Sequence, residues 1–150
     1  MMIEAAHLQR YALFGGLSEE QIETILPLMH QGSFEEGQLI LEEGTPQTRL
    51  FFILEGKVSV TKMGLPLREF SEGDTFGEME VLDVMPGAAT IRAVTPVQVM
   101  WMSNNDLHAI YKSDIHAFSM VIMNLARDLS RRLRLMDSRL VTESPAMEWN

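Results

Sequence analysis

Between Gln31 and Met102 the chain is punctuated by glycines at 37, 44, 56, 64, 73 and 87, spaced 7 to 14 residues apart, and this spacing constrains the fold more than any other feature. The segments between them (QLILEEG, RLFFILEGKVSVTK, LREFSEGDTFG, AATIRAV, VQVMWM) are rich in β-branched and aromatic residues, the composition of short strands. Parallel pairing needs a helical crossover of a dozen or more residues, for which there is no room. The segments must therefore pair antiparallel, as a sandwich or small barrel. LEEGTP, LEGK and SEGD supply the turns, where glycine adopts positive φ and the acids tolerate exposure. SVTKM alternates as a strand with one wet face.

Helical periodicity flanks this region. SEEQIETILPLMH opens with Ser18 as N-cap and Gln21 three residues on, and Ile22, Ile25, Leu26 and Met29 fall on one face; a further helix is expected over His7–Leu13. After Met102, Ser103 caps a helix with Asp106 at its third position, and Ser113 or Asp114 starts a long run, IHAFSMVIMNLARDLSRRLRLMDSRL. Its 26 residues make a rod of about 39 Å, longer than a small barrel needs for cover. Phe118, Ile122, Leu125, Leu129, Met136 and Leu140 follow a heptad seam with Arg132 on the missing position, so this helix is expected to pair with its copy in a homodimer. The expected organisation is one domain over 1–140, with N-terminal helices at 1–32, the barrel at 33–102, C-terminal helices at 103–140 and a frayed tail at 141–150.

With 150 residues, 46% of them apolar, the chain can bury a core of its own. The absence of cysteine removes disulfides, thiolate metal sites and thiol nucleophiles. The N-terminus lacks an uninterrupted apolar signal region and no run approaches the roughly 18 apolar residues of a membrane helix, so a cytoplasmic protein with no membrane partner is expected. Residues 1–100 hold 15 acids against 6 bases, which repels nucleic acid, and the arginines at 127, 131, 132, 134 and 139 read as solvated helix surface, Asp128 pairing with Arg132 at i,i+4. No direct nucleic-acid partner is expected.

The residue types also argue against an enzyme. A metal-dependent oxygenase built in a barrel needs two or three imidazoles and a carboxylate, but residues 31–102 contain no histidine; His7, His30, His108 and His116 fall on the parts read as helical. No phosphate loop, nucleophile elbow or zinc spacing is present. No catalytic or metal-binding residue is assigned. What remains is GEMEVLDVMPGAAT, residues 77–90, where EMEVLD is long enough for one helical turn whose free amides could face an anion, beside the plain reading of a tight corner at Gly77 and a turn at Pro86-Gly87.

The wider stretch FGEMEVLDVMPGAATIRA resembles the phosphate-binding cassette of the cyclic nucleotide-binding domain family, with Phe76, Gly77, Glu78, Pro86, Ala88, Ala89, Thr90 and Ala93 matching in place. The similarity runs through LFGGLSEEQIETIL, EEGTP, LFFILEGKVSV and NLARDLSRRL, roughly residues 8–140. The resemblance implies a mainly β protein with flanking helices: a jelly-roll, cupin-like barrel whose long last helix pairs two subunits in the catabolite-activator and Fnr-like branch. It implies a ligand site at Phe76, Gly77, Glu78, Met79, Gly87, Ala88 and Ala89, with Met136 reaching from the long helix, and a cyclic nucleotide as ligand; the residues require no other cofactor. Glu78 stands where family members hold the ribose hydroxyl.

Three departures change the expectation. The arginine that forks onto the cyclic phosphate falls on Gly87, a loss of about 2–5 kcal/mol, or roughly 30-fold to several thousand-fold in affinity. Arg92, five residues on, projects from the opposite strand face, so restoring Arg at 87 is expected to regain affinity. Met136 and Asp137 replace the hydroxyl residues that touch the base. The winged helix-turn-helix of Fnr-like regulators does not follow within the sequence, so a free-standing module is expected. The leading reading is a homodimeric regulatory sensor acting through a partner protein; the others are a ligand-free scaffold, and a true cyclic AMP or cyclic GMP binder using backbone amides and Glu78.

Overall fold

The computed structural model describes residues 2–77 and 87–143. Its strands are β1 (His30–Phe34), β2 (Leu39–Leu41), β3 (Arg49–Glu55), β4 (Val58–Lys62), β5 (Leu65–Phe70), β6 (Thr75–Phe76), β7 (Thr90–Ala93) and β8 (Val97–Ser103). They form two four-stranded sheets, ordered β1-β8-β3-β6 and β2-β7-β4-β5, with every pairing antiparallel. The antiparallel pairing is that expected from the glycine spacing, and the fold is the jelly-roll that the resemblance implies. β1 starts at His30, so this histidine lies on a strand rather than a helix; its ring stacks on Trp101 (4.2 Å), on the sheet face that carries Val97 and Val99.

Alternation along β3 explains why LFFIL reads as an unbroken apolar run. Phe51 and Ile53 point into the barrel with Val58, Val60, Phe70, Phe76, Val97 and Val99, while Leu50 and Phe52 point out into a second core under the helices. A strand covered on both faces has no polar side to show. β4, covered on one face, buries Val58 and Val60 and leaves Ser59 and Thr61 half-exposed.

The helical layer comprises α1 (Ala5–Leu8), α2 (Glu19–Ile25), α3 (Asn104–Ser113) and α4 (Ile115–Glu143), with 3-10 turns at Ala12–Phe14 and Leu26–Leu28. The single helix expected over His7–Leu13 is instead split, because Tyr11 is extended (φ −93°, ψ 147°) and turns its ring onto Phe52, 5.0 Å between centroids. Both expected capping boxes form: Ser18 with Gln21, and Ser103 with Asp106. Asp114 accepts the Ala117 N–H at 3.0 Å and so starts α4, whose 29 residues continue past the expected end at 140.

Burial alone pushes the Asp106 carboxyl up, but the Ser103 N–H and Oγ–H (2.9 Å each) and His30 Nε2 (3.0 Å) outweigh it and hold it below the ordinary 3.8. A depressed carboxylate contributes stability that is present above its unfolded pKa and is lost as pH falls through the folded one. Asp106→Asn is therefore expected to lower the denaturation midpoint at about pH 6, with a deficit that shrinks as pH falls below the ordinary 3.8 and through the lower folded value. A deficit independent of pH would show that charge is not involved.

α4 faces two ways. Ala117, Val121, Asn124 and Leu125 turn inward, and the Asn124 amide donates to the Leu13 and Gly15 carbonyls at 2.9 and 3.0 Å. Leu125, read above as a seam residue, is 2% exposed and belongs to the chain's own core, against which Phe118 and Ile122 also pack. The outward stripe keeps Ile122, Leu129, Met136 and Leu140 of the expected seam and runs Ile122, Ala126, Leu129, Leu133, Met136 and Leu140 at 4-3-4-3-4 spacing, with Leu133 and Leu140 61% and 62% exposed. Ala126 and Leu133 thus replace Leu125 and the gap at Arg132.

Candidate functional site

Two glycines bracket the cassette. Gly77 follows β6 at φ +84°, a conformation that L side chains rarely adopt, and a Cβ there would lie 2.4 Å from the Arg49 carbonyl oxygen. Gln47 buttresses it: its Nε2 donates to the Gly77 carbonyl (3.2 Å) while its Oε1 accepts the Arg49 N–H (2.7 Å). Gln47 was not singled out in the sequence, since nothing in EEGTPQTR marks one polar residue above the next.

At the other end, Gly87 is closed onto the loop between β2 and β3. Its N–H donates to the Thr45 carbonyl (3.0 Å) and its carbonyl accepts the Gly44 N–H (2.8 Å). The Glu43 N–H donates to Thr90 Oγ1 at 3.2 Å, extending the same seam. A Cβ at Gly87 would stand 2.8 Å from the Glu42 carbonyl oxygen and 3.3 Å from that of Thr45. The expectation that Gly87→Arg regains affinity therefore meets a steric obstacle: a side chain at this position requires the loop at 42–45 to shift.

The remaining site residues separate. Phe76, expected at the ligand, is 1% exposed and stacks between Phe51 (4.8 Å) and Phe70 (6.5 Å), so it is a ring of the barrel core. Ala88 and Ala89 are half-buried, Ala89 against that core. Met136 is 57% exposed on α4. Glu78, Met79 and Pro86 lie outside the described residues, as does the expected helical turn EMEVLD. Arg92 is exposed between buried Ile91 and Ala93, and its Nη1 donates to the Gly37 carbonyl at 2.9 Å, on the outer face as strand alternation requires.

Positive charge reaches this end of the barrel from elsewhere. Arg132 does form the expected pair with Asp128 (2.7 Å), but it is not solvated surface: its side chain is 13% exposed, Nη2 donates to the Thr75 carbonyl, and its guanidinium lies 4.5 Å from the Phe70 centroid. Arg68 places its guanidinium at the same 4.5 Å from Phe70. Burial, and then the neighbouring Arg132, push the Arg68 pKa down, against the carboxylates of Asp74 and Asp128. Both residues were legible in part: Arg68 is two before Phe70 and so shares its strand face, and Arg132 fills the gap in the seam.

A cavity of about 520 Å³ lies away from the cassette, between α1 and the end of β3, lined by Met2, Ile3, Glu4, His7, Leu54, Glu55 and Glu72. Tyr11 spans its edge, its hydroxyl bonded to Glu72 and 3.1 Å from His7 Nε2, and burial followed by Glu72 pushes its pKa up to about 12. Among the described residues no cluster of His, Asp or Glu is arranged to hold a metal, and no helix is long and apolar enough to cross a membrane.

Comparison with known proteins places this geometry. The chain is 28% identical over 138 residues to a CRP-like cAMP-activated global transcriptional regulator of Mycobacterium tuberculosis, covering 89% of this chain and 60% of the regulator. It is 30% identical over 131 residues to glutaminase 2 of Bradyrhizobium diazoefficiens, covering 87% of this chain but 21% of that enzyme. The chain thus spans less than two thirds of either relative. A crystal structure of a cyclic nucleotide-binding domain from Methylobacillus flagellatus shares the fold with a TM-score of 0.82 at 24% identity, covering 97% of this chain and 83% of that one. The family model described as cyclic nucleotide-binding domain matches residues 31–114, which take in the barrel strands, both bracketing glycines and α3. On that match the chain belongs to the cyclic nucleotide-binding domain family.

Proposed function

We propose that this chain is a regulatory sensor module that pairs through α4, passes its state to a partner protein, and does not hold a cyclic nucleotide tightly. The observation that carries this reading is Gly87, which occupies the cassette position of the phosphate-binding arginine while the loop at 42–45 fills the space a side chain would need. Arg92, the nearest cation in sequence after it, is committed to Gly37. The exposed heptad stripe on α4 supports the pairing, and no catalytic role is proposed. The same closure favours, as a second reading, a scaffold whose pocket stays empty.

Thermal melting with cyclic AMP and cyclic GMP tests this. A ligand at about 100 times its dissociation constant adds roughly 2.7 kcal/mol to folded stability, which in a chain of this size raises the midpoint by several degrees. Millimolar nucleotide is expected to leave the midpoint essentially unmoved. A rise of several degrees with either nucleotide would overturn the reading.

A further inference from the structure

The cavity between α1 and the end of β3 stands apart from the cassette. Its volume of about 520 Å³ lies in the range of small-molecule sites, roughly 300–1,000 Å³. Ile3 and Leu54, both packed against the helical core, give it an apolar wall. The polar part of its lining is Glu4, Glu55, Glu72 and His7, with no lysine or arginine. These carboxylates are largely uncommitted. Glu4 holds the N-cap position of α1 yet makes no side-chain cap bond, and among the described residues neither its carboxylate nor that of Glu55 has a hydrogen bond or ion pair. Glu72 accepts the Tyr11 O–H on Oε1, which leaves Oε2 open. Tyr11 has a single hydroxyl proton and gives it to Glu72, so His7 Nε2, 3.1 Å away, donates to the phenol oxygen. The neutral imidazole has one N–H, and it is thereby used. The side chains of the lining are left with acceptors and negative charge.

We infer that this cavity binds a linear aliphatic diamine, its ammonium groups on the carboxylates and its methylene chain along Ile3 and Leu54. An ammonium group carries three donors, no acceptor and one positive charge, the complement of a lining that accepts and is negative. A point cation is the poorer fit, because among the described residues no three His, Asp or Glu side chains are arranged to hold a metal ion. Positive charge must therefore be spread along the ligand, as it is when a carbon chain joins two ammonium groups. The methylenes between them cover the apolar wall, which a hydrated ion cannot do. The cavity shares no residue with the cassette, so the proposal goes beyond the sensor reading and does not rest on it.

The test is a titration of the whole chain with 1,4-diaminobutane as probe, following the Ile3 and Leu54 methyl resonances by NMR. 1,4-Butanediol and magnesium chloride, at matched ionic strength, are the comparison arms. Diaminobutane is expected to shift both sets of methyl signals saturably, and butanediol and magnesium are not. Glu55→Gln removes a carboxylate that has no partner in the fold, so the chain should stay folded. It should weaken diamine binding roughly tenfold to a hundredfold, the range for a hydrogen bond to a charged group, and Glu4→Gln should act in the same direction. Equal shifts with magnesium would reduce the effect to screening of an acidic surface, and equal shifts with butanediol would reduce it to apolar contact; either overturns the proposal. So would a Glu55→Gln chain that is folded by its amide spectrum, or a Glu4→Gln chain if the first variant does not fold, binding diaminobutane as the parent does. No cassette residue takes part, so failure here and failure of the sensor reading in the cyclic nucleotide melts are separately visible.

Discussion

Gly87→Arg is expected to lower stability by about 1–3 kcal/mol from overpacking and to confer no gain in affinity for cyclic AMP or cyclic GMP. The reason is backbone, not side chain. A Cβ at this position would stand 2.8 Å from the Glu42 carbonyl oxygen, and that carbonyl cannot swing aside as a flexible side chain would. The loop carrying it is held by the Gly44–Gly87 and Gly87–Thr45 hydrogen bonds and by Glu43 on Thr90, so relief of the clash requires breaking this seam. Chemical denaturation measures the loss and calorimetric titration the affinity. A stable Gly87→Arg chain that binds nucleotide at micromolar concentration would mean that the loop opens readily and that the pocket lacks only charge.

Leu133→Glu combined with Leu140→Glu is expected to convert a dimer into a monomer of 17.0 kDa, read by light scattering after gel filtration. Both leucines are more than half exposed in the single chain, so the substitutions leave its own core untouched. In the paired helices four leucines per dimer are lost, at about 1.5–3 kcal/mol each. The sum, at least about 6 kcal/mol, is roughly ten-thousandfold in dissociation constant. Leu125→Ala makes the contrast: Leu125 faces inward, so this change should destabilise each chain by about 2–5 kcal/mol without the same effect on assembly. A parent chain that elutes as a monomer would remove the pairing through α4.

What was legible in the sequence follows from how local each signal is. The capping boxes at Ser18 and Ser103 are settled within four residues and formed as read. The antiparallel barrel followed from segment length, because chains of that reach cannot cross over. Arg92 faces outward because alternation along a strand is a property of the backbone. In the candidate site, the cassette pattern located Gly77 and Gly87, yet the pattern alone could not tell that Phe76 is a core ring and Gln47 a prop, since both facts depend on which strand lies alongside.

The amino-acid sequence by itself therefore determined the strand texture, the helix starts, the position of the cassette and the missing cation at Gly87, all of them set by neighbours along the chain. Only the tertiary structure decided which side of α4 is buried, that the loop at 42–45 closes over Gly87, and that Arg68 and Arg132 meet at Phe70. Neighbouring residues on a helix are turned by about 100° from one another, yet moving one seam position to its neighbour, as from Leu125 to Ala126, is nearly invisible in an apolar run such as AFSMVIMNLA. Once α4 lies on the barrel, that shift separates Leu125 in the core from Leu133 in solvent, because burial is set by what packs against a face and not by the residues that compose it.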